Sequence, residues 1–248
     1  MSPGEAIAVG LAGLAAGTIN TIVGSGTLVT FPALLAVGYP PVLANVSNTV
    51  GLVPGSLSGA VGYRAELAGQ RGRLVRLGVA SLLGGVTGAL LLLVLPQAAF
   101  HAVVPVLIGL ACVLVVVQPR LAAVLSRHRH HPGRKPLLYL AVYLAGIYGG
   151  YFGAAQGVLL IAIMGLLLDD SLQRINAAKN VLALLVNLVA ALVFVSVTDV
   201  AWTAAGLIAL GSTIGGQLGA LLGRRIPDVV LRAVIVVVGV VAIVGLVR

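Results

Sequence analysis

Apolar residues run through this chain in eight blocks, at 5–37, 43–63, 74–95, 98–118, 137–168, 175–197, 200–223 and 229–247, and charged residues fall almost entirely between them. About 20 apolar residues suffice to cross the hydrocarbon core as a helix, so the pattern predicts a bundle of membrane helices. The first block of each half is too long for one upright span. Residues 5–22 make about 27 Å of helix and residues 27–37 a further ~16 Å, roughly half a bilayer. Between them stands Gly24-Ser25-Gly26, a helix breaker, and the block 137–168 is interrupted around Gly149-Gly150 and Gly153-Ala154-Ala155-Gln156-Gly157. Such breaks leave backbone amides and carbonyls unpaired, which lipid does not tolerate unless protein or a wet cavity satisfies them.

The blocks also repeat. A shift of 131 residues brings Asn45 onto Asn176, Ser81 onto Ser212, Gly84-Gly85 onto Gly215-Gly216, Gly88-Ala89 onto Gly219-Ala220, Pro96 onto Pro227 and Gly26 onto Gly157. Leu-for-Val matches are cheap in so apolar a chain; a repeated S-x-x-G-G-x-x-G-A followed by proline is not. Two copies of one membrane unit are the usual build of a secondary transporter, with the substrate site where they meet. The expected organisation is a first transmembrane repeat over 1–118, a cytoplasmic basic linker over 119–136 and a second repeat over 137–248.

Composition agrees: 60% of residues are hydrophobic, 8% are charged and the mean hydropathy is +1.14, which excludes an ordinary soluble domain. The net charge of +9 comes from basic residues in connecting loops and reads as cytoplasmic retention of those loops, not nucleic-acid binding. Arg64, Arg71, Arg73 and Arg76 mark one connection as cytoplasmic, and the linker and Arg224-Arg225-Arg232 two more; the connections at 95–97 and 198–199 carry no Lys or Arg and face outward. Eight plain spans would place 64–76 and 224–232 on opposite sides unless several of these arginines lie outside. The conflict vanishes if the first block of each half enters, breaks near the midplane and returns. The predicted fold is therefore an all-α polytopic protein with two homologous halves, an inverted repeat with a broken or re-entrant first helix in each. The N-terminal stretch lacks a basic n-region and reads as a membrane segment and not a cleaved signal. Trp202, Tyr63 and Tyr139 read as interfacial anchors.

The interior polar residues cluster at the two broken blocks and the helices that follow. Asn20, Thr21, Ser25, Gly26, Thr27, Asn45, Ser47, Asn48 and Thr49 belong to the first half; Gln156, Gly157, Asn176, Lys179, Asn180 and, a face further on, Asn187 belong to the second. Asn176, Lys179 and Asn180 share one helix face by their i, i+3, i+4 spacing. Two readings of the asparagines stay open: ligands of a substrate, or interhelical hydrogen bonds and caps. Lys179 lies about one turn inside its helix. It either snorkels to the surface or supplies the counter-charge for an anion beside two helix starts, near Thr27 and Val158, with free N–H groups.

No carboxylate lies deep in a block, so a buried proton relay is not evident. The His128, His130 and His131 run is interleaved with arginines that repel a metal, and it reads as a solvated tether. Cys112 alone makes no disulfide. Gly24-Ser25-Gly26-Thr27 lacks the spacing of a phosphate loop. The Gly13/Gly17, Gly84/Gly88 and Gly215/Gly219 pairs read as packing seams more than as a subunit interface, with a homo-oligomer left open. A membrane enzyme acting on a lipid phosphate would want carboxylates, a histidine or paired arginines at the breaks, and none is there.

These residues resemble the sulfite/organosulfonate exporter (TauE/SafE) family, also called the toluene sulfonate uptake permeases. The likeness rests on Gly13-Leu-Ala-Ala-Gly17 leading to Gly24-Ser-Gly26 and Pro32, on Ala44-Asn-Val-Ser-Asn-Thr49, and on Gly153, Gly157 and Asn176-Ala-Ala-Lys179-Asn180 in the second copy. It covers essentially the whole chain. The family's denser glycine run and proline are departed from here, with Gly153-Ala-Ala-Gln-Gly157 and Ile163 in half two. The resemblance implies a multi-pass inner-membrane carrier of sulfite, a sulfonate or a similar sulfur-containing anion, with no cofactor. Export is favoured, because each negative charge leaving a cell that is negative inside gains about 2.3 kcal/mol per 100 mV. Import of a sulfonate or other organic anion is the alternative. The expected partners are the small anion and the lipid bilayer.

Overall fold

The computed structural model describes residues 1–125 and 135–223, and every regular element among them is helical. The basic stretch 126–134, with its histidines, and the last apolar block with Arg224, Arg225, Pro227, Asp228 and Arg232 lie outside the described residues. The elements are α1 (Pro3–Ile22), α2 (Thr27–Ala36), α3 (Pro41–Gly62), α4 (Arg71–Val94), α5 (Gln97–Leu125), α6 (Lys135–Tyr151), α7 (Gln156–Leu167), α8 (Leu172–Val197) and α9 (Trp202–Leu222). Four of them, α1, α4, α8 and α9, are long and apolar enough to cross a membrane. Each of the two overlong blocks divides into two helices, α1 with α2 and α6 with α7.

Local chemistry sets the boundaries. Ser2 and Glu5 close a reciprocal capping box on α1, with Pro3 at the first helical position where its missing N–H costs nothing. Ser171 caps α8 by accepting the Arg174 N–H. At the breaks, Ile19 O accepts the N–H groups of Val23 and Gly24, and Tyr148 O accepts those of Phe152 and Gly153. Gly24 (φ 90°) and Gly153 (φ 73°) sit in the left-handed region that this type of ending requires, open to glycine at little cost.

That geometry corrects the alignment of the halves. Helices α3 and α8 begin at Pro41 and Leu172, and α4 and α9 at Arg71 and Trp202, both 131 apart. Around the breaks the offset is 129: Gly24 corresponds to Gly153, and Thr27, which opens α2, to Gln156, which opens α7. The second leg of half two thus starts at Gln156, two residues before the predicted Val158. Helix α7 has 12 residues against the 10 of α2, which restores the register by α8. The apparent match of Gly26 to Gly157 is a coincidence of glycine-rich sequence.

The glycine motifs are seams inside the fold. On α4, Gly84 and Gly88 press against α6, where an added methyl would strike the carbonyls of Tyr143 and Ile147; Gly85 faces Val186 and Val189 of α8. On α9, Gly215 and Gly219 press against α1 at Leu14 and Thr18, and Gly216 faces Gly55 and Gly59 of α3. Ser81 Oγ donates to Leu182 O at 3.3 Å and Ser212 Oγ to Gly51 O at 3.1 Å, the same bond made in each half. Close backbone approach through small residues supplies the contact area that apolar side chains cannot drive in lipid. Each half's first helix therefore packs on the other half's third long helix. Leu and Val side chains such as Leu11, Val79, Leu83, Leu192 and Leu210 stay exposed on the outer surface. Trp202 is exposed at the start of α9, whereas Tyr63 is only 2% exposed: it is a core residue and not an interfacial anchor.

Candidate functional site

The two helix breaks meet at the centre of the bundle. Gly157 N–H donates to Gly24 O at 3.0 Å, and each glycine occupies the space in which the other would carry a methyl. Ser25 and Gln156 are the chain neighbours of these glycines, one from each half. Both are buried (0% and 3% exposed), and neither Ser25 Oγ nor Gln156 Nε2 has a hydrogen-bond partner among the described residues. A buried donor left without an acceptor costs about 1–3 kcal/mol. Two of them flanking one backbone crossing mark a place where a polar ligand is worth most.

Around the crossing, each half caps the broken helix of the other. Asn45 on α3 donates through Nδ2 to Tyr151 O at the end of α6, 3.0 Å away. Its counterpart Asn176 on α8 donates to Thr21 O at the end of α1, 3.3 Å away, and Asn180 reaches the same carbonyl at 3.3 Å. Lys179 completes this cap: its Nζ lies 2.8 Å from Asn20 O and 3.0 Å from Thr21 O. The lysine is fully buried, so it does not snorkel, and it is the one charged group among the buried polar residues described. A cation is well placed there, since the last turn of a helix presents unpaired carbonyls and the negative end of its dipole. Its methylenes also pack at the crossing, where a methyl on Gly157 would come within 2.8 Å of Lys179 Cδ.

The other predicted residues divide. Asn48 ties α3 to α2, donating to Thr27 Oγ1 at 3.2 Å and accepting a short bond from Thr30. Thr49 turns back on its own helix, to Asn45 O at 2.9 Å. Asn20 reaches Ser56 Oγ at 3.4 Å, and Gly26 packs on the α1 backbone at Ala16. Ser47 accepts the Ala201 N–H at 2.9 Å, away from the breaks. Thus Ser25, Gly157 and Lys179 meet at the crossing, and Gln156 adjoins it in sequence with its side-chain amide lying against Gly149 of α6; Asn20, Gly26, Thr27, Asn45, Asn48, Asn176 and Asn180 brace it, and Thr49 is bonded within α3. Sequence reasoning passed over Thr30, Ser56 and an aromatic group on the side where α3 begins. Phe31, Phe100 and Phe152 stack edge to face, with Phe31 and Phe152 centroids 5.2 Å apart, and Tyr151 leans on Phe100. With only four phenylalanines in the chain, three meeting here was a signal available only from the pairing of distant segments. No carboxylate is buried among the described residues.

Comparison with known proteins places this geometry. The family model described as "Sulfite exporter TauE/SafE" matches residues 9–246. A probable membrane transporter protein of Escherichia coli K12, YfcA, is 26% identical over 224 residues, covering 90% of this chain and 82% of its own length. A probable membrane transporter protein of Haemophilus influenzae is 26% identical over 230 residues, covering 91% and 88%. A third, ORF9 of a Sinorhizobium species, is also 26% identical, covering 93% and 87%. With a broken-helix crossing at its centre and a family match over nearly its whole length, the chain belongs to the TauE/SafE family of membrane transporters.

Proposed function

We propose that this protein carries a small sulfur-containing anion, sulfite or a sulfonate, across the inner membrane, with export as the favoured direction. The observation that carries the reading is the Gly24–Gly157 crossing with the unpartnered Ser25 and Gln156 donors beside it. An oxyanion takes hydrogen bonds from both, one from each half, in a region where no carboxylate competes. Lys179 contributes a positive charge from alongside. Two of its three donors hold α1, which leaves one for a ligand. The asparagines act through position: they hold the helix ends whose breaks make the site. Import of a sulfonate or other organic anion uses the same groups and differs in coupling. The residues at the crossing include no paired carboxylates or histidine suited to hydrolysis, which argues against a lipid-phosphate enzyme.

The halves are read as an inverted repeat, with α1–α2 entering and returning from outside and α6–α7 from the cytoplasm. Thiol labelling tests this in a Cys112→Ala background. Single cysteines at Gly69 and Gln118 should be protected from external impermeant reagents, and one at Thr198 labelled; labelling of Gly69 from outside overturns the topology.

Function is tested by flux of sulfite, sulfate and a small sulfonate in proteoliposomes, with Ser25→Ala and Gln156→Ala beside wild type. Flux of sulfite or the sulfonate that falls at least tenfold in both variants supports the site. Silence on all three anions removes the substrate class and leaves a family member of another specificity.

A further inference from the structure

The two faces of the crossing are closed by different chemistry. On the side where α3 begins, the closure is apolar: the Phe31, Phe100 and Phe152 cluster, with Tyr39, Ala201 and Ala204 packed into the same core. On the side where α3 ends and α8 begins, it is ionic. Asp170, in the connection from α7 to α8, accepts from Arg73 Nη2 at 2.6 Å and from Arg174 Nε at 2.9 Å. The same corner is bonded to the α3–α4 connection. Arg174 Nη1 donates to Ala68 O at 3.0 Å, Gln70 Nε2 donates to Arg174 O at 3.1 Å, and Gln70 Oε1 accepts a short bond from Arg73. Under the same shift of 131, the positions that correspond to Asp170, Arg174, Arg73 and Gln70 are Tyr39, Leu43, Ala204 and Ala201. None of these four positions carries a charge.

The helix that ends at this corner, α7, differs from α2 in that no side-chain hydrogen bond ties it to its neighbours among the described residues; its link across the crossing is the Gly157 N–H bond to Gly24 O. Helix α2 is bonded to α3 through Thr27, Thr30 and Asn48, and the end of α1 is held by Asn176, Lys179 and Asn180. On α7, Gln156 Nε2 has no partner, and the end of α6 is held by Asn45. The far end of α7 leans on a small core, with Leu160 and Met164 against Leu77 and Ala178.

We infer that α7 is the moving gate of the carrier, hinged at the Gly153 break and latched at its far end by the Arg73–Asp170–Arg174 ion pairs. Opening swings α7 away from Ala178 and requires the latch to part, while the α1–α2 hairpin stays fixed. The inference rests on the transporter reading above but not on which anion is carried. The basic residues of the 64–76 connection make the latched face the cytoplasmic one.

The test uses full-length protein with Cys112→Ala and Ala178→Cys, a small replacement at a position 1% exposed. In inside-out vesicles, labelling of this cysteine by an impermeant thiol reagent should be slow. Asp170→Asn and Arg73→Gln should each speed it about fivefold or more, the double variant should add little, and Asp170→Glu, which keeps the charge, should stay slow. Cysteines at the exposed Ala68 and Gln173, joined by a reducible bifunctional reagent, should block flux until reductant is added. Labelling unchanged in Asp170→Asn and Arg73→Gln, or full flux in the joined protein, overturns the gate. Faster labelling in a protein that moves no sulfur anion keeps the gate and discards only the substrate.

Discussion

Asn187 Nδ2 donates to Ser56 Oγ across 3.1 Å, and the two residues stand 131 positions apart, the shift that relates the halves. Residues so related touch where α3 and α8 meet, the contact that the proposed inverted repeat would place on its axis. Asn20 joins the same serine at 3.4 Å. The polar line from Asn187 through Ser56 to Asn20 leads from that axis to the end of α1, whose carbonyls Lys179 holds. This geometry sets several expectations.

Lys179→Ala or Lys179→Gln should abolish anion flux and also lower stability. The ammonium satisfies two buried carbonyls, and charge-assisted bonds of this kind are worth roughly 1.5–3 kcal/mol each. Sequence alone gives no reason to expect a stability cost. Flux assays beside thermal melts check both; a variant with wild-type melting and no flux would mean the carbonyls find other donors.

Gly157→Ala should lose flux and stability together, because the methyl meets the Gly24 backbone and lies 2.8 Å from Lys179 Cδ. Overpacking of this sort costs about 1–3 kcal/mol. Gly206→Ala is the control. Nothing lies within 4 Å of its added carbon, and alanine in a helix interior gains up to about 1 kcal/mol over glycine. Melting temperatures that move alike in the two variants would dismiss the crossing as a tight contact.

Asn45→Ala should weaken transport more than Asn180→Ala. Asn45 is the side chain that satisfies Tyr151 O, whereas Thr21 O keeps Asn176 and Lys179 when Asn180 is removed. The expected difference is about 1 kcal/mol in stability, read by melting or by protease resistance in detergent.

The ionic latch should be indifferent to pH across the physiological range. Partial burial raises the Asp170 carboxyl, but the bonds from Arg73 and the Ser171 amide and the charges of Arg73 and Arg174 outweigh it and hold it below its ordinary value of 3.8. A depressed carboxylate stabilises the fold above its unfolded pKa, and that contribution is lost only as pH falls through the lower folded value. Cysteine labelling at position 178, taken relative to an exposed cysteine such as one at Gln173 to remove the thiol's own pH dependence, should therefore be flat from about pH 5 to 8 and rise only below about pH 4. A rise near neutrality would show that another group controls the corner; Asp169 and Glu66 are its acidic neighbours in sequence.

Much of this molecule is legible in the order of its residues. Blocks of leucine and valine set the helices, glycine at 24 and 153 sets the breaks, and the S-x-x-G-G-x-x-G-A motif announces both duplication and a tight seam. These are local properties, dictated by chain length against bilayer thickness, by backbone sterics at positive φ and by the absence of a side chain. The candidate polar residues could likewise be named, because uncharged blocks contain so few. Which of them face a ligand could not, since asparagine serves equally well as a cap. Only the folded chain pairs Asn45 with Tyr151 O and gives Lys179 the carbonyls of α1, and so separates braces from open donors. The two-residue change of register at the breaks, the aromatic closure and the Asp170 latch were likewise decided in three dimensions. Each joins residues far apart in the chain, and hydrogen-bond satisfaction between distant segments leaves no period along the sequence.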